Sequence, residues 1–385
     1  MEHFNLIFSK VPTLRFPEFA GEWQDTTLGN VCVYRKTRRT AEKKNYISTE
    51  NILQNYQGAE RFTSNESISG DGFNKNDILM GNIRPYLKKV YYADFDGVCN
   101  ADVLVFKSNF INPHFLYCRL ANDTFINYVM KSVKGSKMPR GDKSHIMQYP
   151  LSIPGEAEQS KISNFVELLT SRIQVQNKII SKYETLIKGI YHEFFSKPAD
   201  YAIKIKDLII KGKSGGTPSS TVARYYNGDI PFLSISDMTK QGKYVSYTEK
   251  HISKSGIENS SAWIVPSNSL IFSMYASVGL VCINTVPLAT SQAMFSMVLK
   301  DRRMIEYIYY YLNFFRETKI HRHIETGTQS NINAETVRNI DIPFQSNHLK
   351  LVETLNSIEK RLNNEKDMLS LLLDLKAYLL SKLFI

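Results

Sequence analysis

Cysteine is scarce in this chain. Cys32, Cys99, Cys118 and Cys282 are its only four in 385 residues, and they lie far apart with no CxxC pair among them. That spacing excludes a disulfide framework and a zinc knuckle, and reduced thiols in a cytoplasmic protein are expected. Long apolar runs are missing too. The opening MEHFNLIFSKVPTLRFPEF is too mixed for a signal or a membrane segment, so no membrane contact is expected. Nucleotide-binding loops are also absent. Gly212-Lys213-Ser214 would need a glycine at Asp207 to form a P-loop, and no GxGxxG follows a strand. The Asn-Pro-Pro-aromatic tetrapeptide with which amino-methyltransferases hold a flipped base does not occur. His321 and His323 have no carboxylate, Cys or His cluster to complete a metal site. Glu317-Thr318-Lys319 lacks the Pro-Asp partner of a nuclease motif. The reading is therefore no catalytic residue, no metal ligand and no cofactor held by this chain.

Positive charge and one periodicity are what the chain does have. Forty-eight basic residues stand against 37 acidic ones, a net +11, and that balance favours polyanionic partners. From Ile162 to Phe194, apolar residues recur in alternating steps of four and three: Ile162, Val166, Leu169, Ile173, Ile180, Tyr183, Ile187, Ile190 and Phe194, with Gln176 the one polar occupant. Such a narrow seam must be buried against a second long helix. The end of the chain supplies one: Leu351, Leu355, Ile358, Leu362, Glu365, Leu369, Leu372, Leu379 and Leu383, with Lys376 the departing position. Phe194 and Leu383 stand 189 positions apart (383 − 194), a whole number of heptads, so seam maps onto seam and Gln176 onto Glu365. Ile153-Pro154 before the first stripe is answered by Ile342-Pro343 before the second. One unit is written twice. The expected fold class is α+β: two mixed α/β globules (residues 1–155 and 198–345) separated by two long helices (156–197 and 346–385). The helices pack as an antiparallel coiled coil within an internal pseudo-two-fold repeat.

Strands are expected at Leu28–Tyr34, Tyr46–Ser48, Ile78–Met80, Tyr91–Tyr92, Val103–Phe106 and Tyr149–Ile153, and a helix over Pro113–Met130. The second half opens at Lys204–Ile210. It continues with strands at Ile230–Ile235, Ser269–Ser273, Val278–Ile283 and Phe295–Leu299 and a helix over Tyr307–Phe315. Between these elements lie loops that mix Lys and Arg with Tyr, Ser, Thr, Asn and Gln, the groups that contact phosphates and base edges. Candidate DNA-binding residues are Arg38, Arg39, Lys43, Lys44, Arg84, Lys137, Arg140 and Lys143 in the first half. In the second they are Lys211, Lys213, Arg224, Arg322, Gln329 and Asn331.

Several stretches together resemble the specificity subunit of type I restriction-modification systems, over nearly the whole length. They are the opening VPTLRFPEFAGEW, Glu158-Gln159 after Pro154, Gly215-Gly216-Thr217-Pro218-Ser219 with Tyr225-Tyr226-Asn227-Gly228-Asp229-Ile230-Pro231, and Gly327-Thr328-Gln329-Ser330-Asn331-Ile332. The resemblance implies two target-recognition domains, each reading half of a split duplex DNA sequence, with the long helices as spacer and docking site for two modification subunits. Those subunits would hold S-adenosylmethionine and methylate adenine, and separate motor subunits would cleave. At the second helix the Glu-Gln pair reads Asn347-His348, a departure from the family's pattern. A helix of about 36 residues spans roughly 54 Å, against about 34 Å for one DNA turn, which suits a bipartite target with an unread gap. The rival readings are a protein-docking scaffold without DNA and, more remotely, a self-contained enzyme.

Overall fold

The computed structural model describes residues 11–135, 137–275, 277–323 and 331–384. The chain divides into two compact units, one running up to Lys178 and resuming at Asp367, the other Ile179–Lys366. Each unit therefore contains part of both long helices, Glu156–Phe195 and His348–Lys382.

In the first unit the lead-in strand Gln24–Thr27 pairs antiparallel with Pro150–Ile153, closing the globule just before the long helix. A four-stranded antiparallel sheet has the order Cys32–Tyr34, Val103–Ser108, Ile78–Gly81, Val90–Tyr92. Successive side chains of a strand point to opposite faces. Here both faces are covered: Ile78, Met80, Leu104 and Phe106 join one core, while Leu79, Val103 and Val105 join another. Burial on both sides explains why these strands read as unbroken apolar runs. A second sheet, Arg38–Glu42, Ser67–Phe73, Gly97–Cys99, Tyr46–Ile47, carries Arg38 and Arg39 on its edge strand.

The other unit repeats the plan. Tyr201–Lys204 pairs with Asp341–Phe344. Leu270, Phe272, Val281, Ile283, Phe295 and Met297 face one core, and Ile271, Cys282, Met294 and Val298 face the other.

The seam residues do what their spacing requires. In the first unit Ile162, Val166 and Leu169 share a core with Leu379, Leu383 and Phe384; in the second, Ile187, Ile190 and Phe194 share one with Leu351 and Leu355. In both, one long helix meets the opposite end of the other, so the two run antiparallel. Each seam position is buried or half-buried, whereas the off-seam Leu168, Val175, Leu371 and Leu375 are exposed. Lys376 is half-buried, and burial pushes its ammonium below the usual lysine range.

Several sequence expectations are corrected. Leu28–Val31 is one helical turn, and the strand is only Cys32–Tyr34. Pro113–Met130 is two helices, Pro113–Leu120 and Asp123–Met130. Asn122 starts the second by accepting from Thr124 N–H, which fixes extended backbone at the junction. Lys143 belongs to a short helix, Lys143–Met147, not to the loop before it. Lys204–Ile210 splits into a strand end, a helical turn (Ile205–Leu208) and a new strand (Ile209–Ser214). The strand expected at Ile230–Ile235 ends at Leu233, and the one expected at Val278–Ile283 is Val281–Asn284.

Candidate nucleic-acid interface

The first unit builds its basic surface from a hairpin tip and a distant loop. Strands Ile78–Gly81 and Val90–Tyr92 close at Gly81, whose N–H donates to the Lys89 carbonyl at 3.0 Å. The tip between them is pinned three ways. Asn82 N–H donates to the Asp102 carbonyl at 2.8 Å, Arg84 N–H to the Pro139 carbonyl at 2.8 Å, and Asn82 Oδ1 accepts from Gly141 N–H at 3.1 Å. Ile83 and Arg140 form an antiparallel bridge, and Lys134 bridges Arg140 from the other side. Arg84 and Lys88 bracket the turn in left-handed backbone, φ 52° and 55°, with Pro85 buried between them. The Arg140 guanidinium donates to Asp102 Oδ1 at 3.1 and 3.2 Å. Asp142 accepts from Ser144 and His145 N–H and pairs with Lys134 at 2.5 Å. The Lys134 ammonium, together with those backbone donors, pulls the Asp142 carboxyl down to about 2.

Of the first-half candidates, Arg84, Lys137 and Arg140 thus come together on the hairpin tip and the loop pinned to it, and exposed Lys143 opens the helix just beyond. Of the other four, Arg38 and Arg39 lie on the edge strand of the second sheet, and Lys43 and Lys44 in the helical turn Lys43–Asn45 that follows it. Arg38 is exposed on the edge strand; Arg39 donates to Asn74 Oδ1 at 2.7 Å; Lys43 pairs with Glu66 at 3.2 Å and Lys44 with Glu42. Arg39 also lies across a glycine: a Cβ on Gly72 would stand 2.7 Å from Arg39 Cδ, so a side chain there would have to displace this exposed arginine. Arg61, which the sequence pattern does not single out, lies against the Lys43–Asn45 turn. Its guanidinium lies 3.9 Å from the Phe95 ring centroid and donates to Asn45 Oδ1.

In the second unit Lys211 and Lys213 are exposed on the edge strand Ile209–Ser214, and the Lys211 ammonium sits 4.2 Å from the Trp263 ring centroid. Arg224 lies over Tyr225, and Arg322 is exposed in the turn Ile320–Arg322. Asn331 bridges Tyr275. Gln329 lies outside the described residues. Gly215 and Gly216 are not a phosphate cradle. A Cβ on Gly215 would meet the Thr290 carbonyl at 2.0 Å and one on Gly216 the Ala262 N at 2.4 Å, so two backbones cross there with no room for side chains. Among the described residues, no group of three or more His, Cys, Asp or Glu could hold a metal ion.

The Glu158-Gln159 pair faces inward. Glu158 takes two hydrogen bonds from Arg15, at 2.7 and 2.8 Å, and Gln159 accepts from Asn112 N–H and donates to the Pro154 carbonyl. Both are at least 95% buried, so they tie the lead-in and the first globule to the long helix. In the second unit His348 packs on Tyr307 and Phe344 instead. The substitution at Asn347-His348 is thus a different internal tie.

Residues 20–185 and 199–368 each match the family model described as the type I restriction modification DNA specificity domain. The chain belongs to that family. The specificity subunit of the type I restriction enzyme HindI from Haemophilus influenzae is 22% identical over 90% of this chain and 98% of its own length. That of MjaIX from Methanocaldococcus jannaschii is 28% identical over 44% of this chain and 40% of its own. Among solved structures, the type I restriction-modification S subunit from M. genitalium superimposes with a TM-score of 0.59 at 14% identity, covering 97% of this chain and 99% of that one. A chain from a study of type I complex assembly and conformational transition gives 0.57 at 17% identity, covering 94% and 97%. These two likenesses concern the fold. Specificity subunits recognise DNA for their complex, and its catalytic steps belong to other subunits.

Proposed function

We propose that this specificity subunit reads a bipartite duplex target, one half-site per unit, and that its long helices dock two modification subunits. The observation that carries this reading is the pairing of one repeated framework with unlike loops. The two hairpin tips are anchored alike, yet one presents Arg84, Lys137 and Arg140 and the other Tyr275 and Asn331. Like scaffolds with unlike contact residues would read two different half-sites. The exposed off-seam residues Leu168, Val175, Leu371 and Leu375 offer apolar area for the partner subunits. S-adenosylmethionine would be bound by those partners, motor subunits would join through the complex, and the assembly would work in the cytoplasm. Among the described residues, no helix is long and apolar enough to cross a membrane.

Mapping methylated adenines in a genome that co-expresses this chain and its modification subunit tests the reading. Two short motifs separated by a constant gap are expected; methylation at a single continuous motif would refute it. We propose further that helix length sets the gap. One heptad added to each long helix should lengthen the unread gap and preserve both motifs, and an unchanged gap would end that proposal. Binding should also be strongly salt-dependent. Six phosphate contacts would lower affinity about a thousandfold between 50 and 200 mM salt through counterion release. A flat salt profile in filter binding would argue against a basic DNA-facing surface.

A further inference from the structure

The two hairpin tips share a frame in detail. Asn82 N–H donates to the Asp102 carbonyl at 2.8 Å, and Met274 N–H donates to the Ala293 carbonyl at 2.8 Å. Gly81 N–H donates to the Lys89 carbonyl, and Ser273 N–H to the Leu280 carbonyl. Ile83 bridges Arg140, and Tyr275 bridges Asn331. Each tip is thereby held against a loop that lies more than 50 residues away in sequence. A frame repeated so closely, with different side chains on it, is where sequence discrimination is expected to reside.

We propose that Arg84 is the base-reading residue of the first unit, directed at the major-groove edge of a guanine. The inference rests on the DNA-reading function proposed above. Three observations single out this arginine. Its backbone lies in the left-handed region at φ 52°, a conformation that a non-glycine residue keeps only where its surroundings impose it, and such positions gather at functional sites. The surroundings do impose it: the Arg84 N–H is bonded to the Pro139 carbonyl, Pro85 is buried beside it, and Leu87 N–H donates back to the Arg84 carbonyl at 2.9 Å. Finally, its side chain is exposed and, among the described residues, has no hydrogen-bond or ionic partner, whereas nearby Lys88, Lys134 and Arg140 are paired with Asp123, Asp142 and Asp102.

The neighbours favour a base over a phosphate. Tyr86 and Met138, 49% and 48% exposed, flank Arg84 in sequence and on the loop pinned to it. Apolar and aromatic side chains beside an arginine suit a base edge or a thymine methyl, where a phosphate would need only charge. A guanidinium on a fixed backbone can bond guanine O6 and N7 together, the commonest specific contact in DNA recognition.

The test uses the complex with its modification subunit and selects bound duplexes from a random pool. Arg84→Gly is the informative variant, because glycine accepts left-handed backbone freely and the melting temperature should hold or rise. With this variant one G·C pair in one half-site should lose its preference by about tenfold to a hundredfold, the value of one bidentate contact. The other half-site should be recovered unchanged, and Arg84→Lys should retain part of the guanine preference. An unaltered motif, or equal weakening at all positions, would overturn the assignment of Arg84 while leaving DNA reading intact. A wild-type complex that selects no motif would overturn DNA reading itself.

Discussion

Exchange of Ile179–Lys366 for the matching segment of another family member changes one half of the methylated target and leaves the other half as it was. That is the expected result when methylated adenines are mapped for the chimera beside its parent. The physical basis is that this stretch contains a complete core. Tyr191, Phe194 and Phe195 at the end of the first long helix pack with Tyr307, Tyr311, Phe314, Leu351 and Leu355, so both helix pieces travel with the globule they support. An exchange confined to 199–345 would set a foreign globule against those three aromatic rings. Because overpacking and cavities in a core cost about 1–5 kcal/mol each, that narrower chimera should melt lower than the wider one. A change in both half-sites after the wider exchange would refute modular reading, and equal melting temperatures would show that the aromatic contacts do not set the boundary.

The long helices were legible because a 3.5-residue apolar period sustained over many heptads demands a second helix along its length, and the matching copy carries its own polar layer. The sheet strands were legible as runs such as Ile78-Leu79-Met80, since both faces are buried. Ser67–Phe73 was not legible: its sequence, SISGDGF, has two glycines, an aspartate and serines, and its pairing with Arg38–Glu42 and Gly97–Cys99 decides its structure. Helix Ile235–Gln241 does carry a local signal, because Ser234 and Asp237 form a reciprocal capping box, but the apolar run before it reads as strand to its end. At the candidate interface the sequence supplies the side-chain types but not their company. Nothing in the spacing of Arg84 and Arg140 indicates that one backbone bridge holds them together, and nothing near Glu158 indicates that its partner is Arg15. Long-range pairing makes both contacts.

Replacing Lys243 with Met destabilises the second unit by about 3–5 kcal/mol at neutral pH, the usual cost of removing one partner from a buried ionic cluster. The Lys243 side chain is 9% exposed, and its ammonium donates to Glu359 at 2.6 Å, Tyr310 Oη at 2.9 Å and Asn356 Oδ1 at 3.1 Å, with Glu306 also at 3.1 Å. It thus joins the second long helix to the helix Ile305–Thr318, and methionine would keep the stem while leaving two carboxylates without their cation. The sign of the pH effect follows. Burial pulls Glu306 upward, but Tyr244, Asn356 and Lys243 together outweigh it, so its carboxyl sits below the usual range. In the native chain this carboxylate stabilises the fold above its unfolded pKa, and that contribution fades as pH falls through the lower folded one. In Lys243→Met burial meets less opposition at Glu306, its folded pKa rises, and the pH-dependent penalty comes from ionised Glu306. The deficit should therefore be largest at neutral pH and shrink toward the ordinary carboxylate range near about 4.3, where protonation removes the unpaired charge. Thermal unfolding of both proteins at pH 7.5 and pH 5 reads this directly. A gap in melting temperature that stays constant or widens in acid would show that Lys243 acts there through packing and not through its charge.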